Sequence, residues 1–227
     1  MIAPCNCLAL IAEFLINRCK KMKLPLLIFS ALALCSGNCK KSSILSLNSS
    51  KKQIIAFVPL DIYSALEINS VINEVSHFYN KRAIILNRVN IPGQFFNPAI
   101  QQYSADSLIM LLSELKNDTI IEIIGLTHKP LFTIKPRKPL PYFDENIFGM
   151  AYQPGNACIV SDYKFRTIDI KTFTQRLRNV IIHEVGHNLD LSHCKEKNCI
   201  MSEKWEYQTL DKSENNYCNK CLNKLYR

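Results

Sequence analysis

The chain has 227 residues, 48% of them hydrophobic and 21% charged, with 10 cysteines and a formal net charge of +9. That length and balance allow one core of good size with a tail and exclude wholesale disorder. The basic excess is partly N-terminal and otherwise scattered as solvated lysines; no basic stripe is interleaved with aromatics, so nucleic acid is excluded as a partner.

The first segment reads as a targeting signal. Lys20-Lys21-Met22-Lys23 precedes an apolar run over 24–34. The run has the length of a signal-peptide hydrophobic region and is too short for a comfortable membrane span. Residues 1–39 are therefore expected to be an export signal region, with Met22 expected as the true start and 1–21 as an over-extended upstream reading; a genuine N-terminal extension is the alternative. The run closes near Cys35 and Cys39 in a pattern similar to a bacterial lipoprotein signal, although Leu34 and Asn38 stand where a small residue is usual. Lipid on either cysteine would tether the protein to a membrane; the alternative is simple secretion to the periplasm or medium. Residues 40–53, rich in Ser, Lys and Asn, are expected to be a flexible tether. A monomeric folded domain is expected over 54–227.

Within it, residues 54–58 form an apolar run ended by Pro59 and predict a buried strand. Asp61 is expected to cap a helix over 62–80 with Ile62, Ala65, Leu66, Ile68, Val71, Ile72, Val75 and Phe78 on one stripe. Residues 83–86 predict a second strand and 87–98 a loop. Ser104 or Asp106 should start a helix to about Lys116, and 120–124 predict a third strand ended by Gly125. This alternation implies parallel β-α-β units. Pro130, Pro136, Pro139 and Pro141 predict a long loop over 126–145, followed by strands over 148–152 and 157–163 around Pro154-Gly155. Thr172 with Gln175 reads as a capping box for a helix that buries Phe173, Leu177, Val180, Ile181 and Val185.

That helix carries the densest chemistry in the chain. His183 and His187 are four apart, so both imidazoles lie on one helix face and can reach one metal ion. Glu184, beside the first, can take a proton from a water that the metal activates without binding the metal itself. His193 lies six residues beyond His187 and reaches the same ion only if the helix stops and the chain turns back near Asp190. Three histidines with one carboxylate at this spacing point to a hydrolytic zinc site. Cys194 and Cys199, then Cys218 and Cys221, read as a four-thiolate zinc site, closed to water and structural. Two disulfides are the alternative for an exported protein. Cys158 is left as a buried thiol. His77 and His128 are explained by solvation on a helix face and in a loop, and Tyr207 and Tyr217 carry no spacing signal.

The constellation from His183 to Cys221, with Cys199-Ile200-Met201 in its middle, resembles the archaemetzincins, a branch of the metzincin zinc metalloproteases. The resemblance implies an α/β (α+β) zincin fold: a mixed sheet with helices, an active-site helix and a small C-terminal lobe stabilised by zinc. It implies an antiparallel edge strand within 148–163 above the cleft, and Met201 as a methionine packed beneath the ligand rings. It implies two zinc ions per chain and a zinc metallopeptidase acting on a peptide or protein, with Glu184 as general base. A catalytically silent zinc-binding lipoprotein module is the alternative. The chain departs from the family at Asp190, where glycine is usual. Asp is among the residues that best tolerate a left-handed turn after glycine.

Overall fold

The computed structural model describes residues 53–136, 140–203, 210–211 and 216–226. The expected signal with Met22, Cys35 and Cys39, the tether up to residue 52, and Tyr207 lie outside the described residues.

Strand β1 (Ile54–Pro59) alternates two sets of side chains, and both are buried. Ile55 and Phe57 enter one cluster, Ala56 and Val58 the other. A strand apolar on both sides belongs inside a sheet covered by helices on each face. The main sheet has the order β2-β1-β5-β9-β8. Here β2 is Arg82–Ile85, β5 is Ile120–Thr127, β8 is Gly149–Ala151 and β9 is Ala157–Ser161. All neighbours are parallel except β8, which runs antiparallel to β9 at the edge. Helices α1 (Ala65–Tyr79) and α3 (Ile170–Asn188) cover the face carrying Phe57, Ile124 and Val160. Helix α2 (Ala105–Glu114) covers the other through Leu108, Ile109 and Leu112. Each such fully buried side chain contributes about 1.5–3 kcal/mol.

A second sheet has the order β3-β4-β6-β7. Its strands are β3 (Phe96–Asn97), β4 (Gln102–Ser104), β6 (Leu131–Lys135) and β7 (Tyr142–Ile147). The C-terminal lobe ends in α4 (Asn219–Leu225) and buries Leu191, Ile200, Met201 and Tyr217 against Ile182 of α3. Among the described residues no helix is long and apolar enough to cross a membrane.

Several expectations are corrected. The segment 126–145 is not a long loop. β5 continues through Gly125 to Thr127, and β6 and β7 pair antiparallel from Leu131↔Ile147 to Lys135↔Tyr142. The prolines lie between the paired stretches rather than within them, where each would have removed a ladder donor. Asp61 does not cap α1. Ser64 does, accepting from Glu67 N while Glu67 bonds back to Ser64 N; Ile62 falls before the helix, and both it and Leu66 in the first turn are exposed rather than part of the buried stripe. Asp61 instead accepts from Thr127 Oγ1 and His128 N. Asp169, rather than Thr172, caps α3: its carboxylate accepts from Thr172 N at 2.9 Å. His128 is not merely solvated. Its Nδ1 lies 2.9 Å from Asp162 Oδ1 and its Nε2 3.0 Å from Ile62 O, so it pins the ends of β5 and β9 to the loop after β1. Cys158 is fully buried as expected, but a buried carboxyl, Glu122, lies beside it.

Candidate metal centres

Helix α3 is anchored by Val180, Ile181 and Ile182, all at most 2% exposed, so the turns that follow are held against the sheet. His183 and Glu184 are buried on it, and His187 is half-buried. The helix then ends in a Schellman turn. Asp190 N donates to His187 O and Leu191 N to Gly186 O, both at 2.9 Å. Asp190 sits at φ 67°, the left-handed conformation that the sequence requires there. Leu191 is buried below the turn and acts as its anchor, and the chain reverses so that His193 returns to the helix.

The three histidines meet. Ring centroids are 4.7 Å apart for His183–His187, 5.3 Å for His183–His193 and 4.9 Å for His187–His193. One ring nitrogen from each lies within 4.8 Å of the others. His183 Nδ1 is 2.7 Å from Ile200 O and His187 Nδ1 is 2.8 Å from Leu191 O. A carbonyl can only accept, so each Nδ1 must carry the proton and each Nε2 a lone pair. The two Nε2 atoms nevertheless face each other at 3.1 Å. Two lone pairs at that distance repel unless a cation lies between them, and neutral imidazoles with fixed tautomers are what a metal ion needs. Burial pulls His183 down to about 3, helped by the neighbouring histidines, and burial likewise lowers His187, so both stay neutral.

Glu184 lies against the edge strand. A Cβ placed on Gly149 of β8 would come within 2.8 Å of Glu184 Cγ and 2.9 Å of its Oε1. Only glycine leaves the carboxylate its place. Burial raises Glu184 to about 8; a cation held by the adjacent imidazoles would oppose that shift. The cavity over these groups is about 300 Å³ and is lined by Ile147, Phe148, Gly149, Val180 and Glu203 beside His183, Glu184 and His193. A larger cavity of about 570 Å³, lined by Ile55, Lys81, Ile120, Glu122 and Leu189, contains neither ligand group. Chemistry, not size, identifies the site.

The four predicted cysteines also converge, with their sulfurs within 4.8 Å of one another. None of the four is joined in a disulfide. Cys194 and Cys218 Sγ are 3.8 Å apart, and Cys199 and Cys221 Sγ are 3.6 Å apart. A tetrahedron built on zinc–sulfur bonds of about 2.3 Å has edges of roughly 3.8 Å. The spacing fits a shared metal ion.

Met201 is fully buried against the active-site helix. A Cβ on Gly186 would meet its Sδ at 2.3 Å, so this close approach depends on glycine between Val185 and His187. Three contributors were not legible in the sequence: the carbonyls of Ile200 and Leu191, and Gly149. Backbone carbonyls leave no residue signature, and a lone glycine in a strand has many causes. Tyr217 is a fourth. Its buried hydroxyl donates to Ile182 O at 2.9 Å, and its adjacency to Cys218 was the only available clue.

The sequence profile of Peptidase family M54 matches residues 48–227. Among curated proteins, the archaemetzincin of Haloquadratum walsbyi is 31% identical over 147 residues, 60% of this chain and 79% of that protein. The archaemetzincin of Methanopyrus kandleri is 28% identical, covering 67% of this chain and 82% of that one. In structure the chain is similar to the crystal structure of archaemetzincin from Methanopyrus kandleri, with a TM-score of 0.65 and 24% identity over 81% of this chain and 98% of the other. It is also similar to archaemetzincin from Archaeoglobus fulgidus complexed with malonate, with a TM-score of 0.62 and 22% identity over 76% of this chain and 99% of the other.

Proposed function

The chain belongs to peptidase family M54 and is a zinc metallopeptidase, and we propose that His183, His187 and His193 hold its catalytic zinc while Glu184 serves as general base. The observation that carries this reading is the pair of proton-fixed imidazoles whose Nε2 atoms face each other at 3.1 Å beside a buried carboxylate. Bound zinc supplies a Lewis acid that polarises the scissile carbonyl and acidifies water. Glu184 takes the proton of the attacking water and passes it to the nitrogen of the leaving amine. Ile200 O and Leu191 O hold the imidazoles in the ligating tautomer. Among the described residues, edge strand β8 has one side without a partner strand in its sheet and offers backbone groups to an extended peptide beside Glu184.

Cys194, Cys199, Cys218 and Cys221 hold a second, structural zinc, giving two ions per chain. The sulfur spacings support this over two disulfides. The protein acts as an exported monomer with a lipid on Cys35 or Cys39 tethering it to a bacterial membrane; without the lipid it is periplasmic or secreted. That part rests on the sequence of residues 20–40. Labelled lipid should enter the wild type and disappear when both cysteines are replaced.

Glu184→Gln tests the core of the reading. It should retain zinc and lower cleavage of a peptide library by about 10²–10⁴-fold. Undiminished turnover would exclude Glu184 as the base. A silent zinc-binding module is disfavoured because the carboxylate is intact and seated at the imidazoles.

A further inference from the structure

Residues flanking the four cysteines grip the active-site helix at the first histidine. Ile200, next to Cys199, accepts from His183 Nδ1 at 2.7 Å. Tyr217, next to Cys218, donates to Ile182 O at 2.9 Å, one residue before that histidine. The two grips are joined, since Ile200 N donates to Asn216 O at 2.9 Å. A third strap closes the frame: Cys194 N donates to Met201 O at 2.7 Å, and Cys194 directly follows His193. Tyr217 is buried, and its hydroxyl also meets Tyr79 Oη of α1 at 2.8 Å.

We propose that Tyr217 is a positioning residue through which occupancy of the four-thiolate centre sets the metal affinity of the three-histidine centre. This rests on the two-centre reading above. The physical reason is the lever arm. A bound ion would hold the two cysteine pairs at the observed spacing. With the sulfurs so held, Ile200 and Tyr217 would be fixed where they grip His183 and Ile182. The lobe buries Ile200, Met201, Tyr217 and Leu225 in one small cluster with Ile182, and a bound ion would add the constraint that fixes the positions of both grips. A carbonyl partner to a ligating histidine orients the ring, and losing such support weakens metal binding without removing a ligand.

The test uses the full chain loaded with zinc, with wild type and Tyr217→Phe side by side. Phenylalanine keeps the ring against Phe78, whose centroid is 5.6 Å away, and removes only the hydroxyl. Zinc content is measured first, then release to a competing chelator; cobalt substitution distinguishes thiolate from imidazole coordination by spectrum. The expected result is two zinc ions in the wild type. In Tyr217→Phe the imidazole centre should release its ion about tenfold more readily, with the cobalt–thiolate spectrum unchanged. On a cleaved peptide, kcat should fall with KM unchanged. Equal release from the imidazole centre in both proteins would overturn the proposal while leaving the two-centre reading intact. A single zinc in wild type would overturn both. If the variant fails to fold, the wild type still decides. Blocking the thiols with an organomercurial should loosen the imidazole-bound ion by a similar factor, and unchanged retention would refute the coupling.

Discussion

At the scale of single residues, Asp190 decides whether the third histidine belongs to the site. The sequence requires a reversal there, and the structure makes it at φ 67° with the helix-ending bonds to His187 O and Gly186 O in place. A side chain in this conformation costs about 1–2 kcal/mol, less for Asp than for branched residues. Asp190→Val should therefore lose about 1–2 kcal/mol in urea denaturation and weaken zinc retention at the imidazoles, whereas Asp190→Gly should keep both. Equal zinc retention in the valine variant would show that His193 does not depend on this turn. Glycines act at the same scale but by absence. Gly149 and Gly186 leave room for Glu184 and Met201, and neither role could be assigned before the neighbour was located. His128 shows the reverse error. An isolated histidine in sequence proved to be tied at both nitrogens, because its partners are 34 and 66 residues away.

At the scale of elements, strands and helices with unbroken periodicity were legible, and those interrupted by proline were not. β1, α2 and α3 follow their apolar patterns, whereas the hairpin β6–β7 was hidden by prolines around its paired segments. β5 carries a further consequence. Glu122 lies in its buried middle and accepts from Asn188 Nδ2 of α3 at 2.5 Å. Burial pushes its carboxyl from 4.5 up to about 8. The folded chain thus keeps a proton that the unfolded chain releases. The stabilisation is complete below the unfolded value of 4.5 and is lost as pH rises towards about 8. In the zinc-loaded protein, Glu122→Gln should flatten this decline between about pH 5 and 8 and exceed the wild type in stability above it. Urea titrations across that range read the slope directly. A slope identical to that of the wild type would assign the pH dependence to other groups.

At the scale of the whole molecule, the three-histidine cluster, the four-cysteine cluster and α3 are joined by hydrogen bonds through Ile200 and Tyr217. Cys218→Ser should lower the melting temperature by about 5–10 °C, as loss of a few kcal/mol does in a domain of this size. The same variant should bind one zinc fewer than wild type. A wild-type protein with one zinc and oxidised cysteines would refute the structural centre. The order of chemical groups along 183–221 was enough to recognise the family and to nominate the three histidines and four cysteines that the structure brings together, because metal ligation imposes residue types and spacings that chance rarely reproduces. The parallel β-α-β core was determined in the same way by periodicity, since local patterns of burial are written in local sequence. Tertiary structure alone decided which strand borders the Glu184 carboxyl, which carbonyls hold the His183 and His187 rings, and that Tyr217 ties the cysteine lobe to α3. Those are contacts between residues far apart in the chain. Their partners are selected by how the sheet and helices pack, and no local pattern records that.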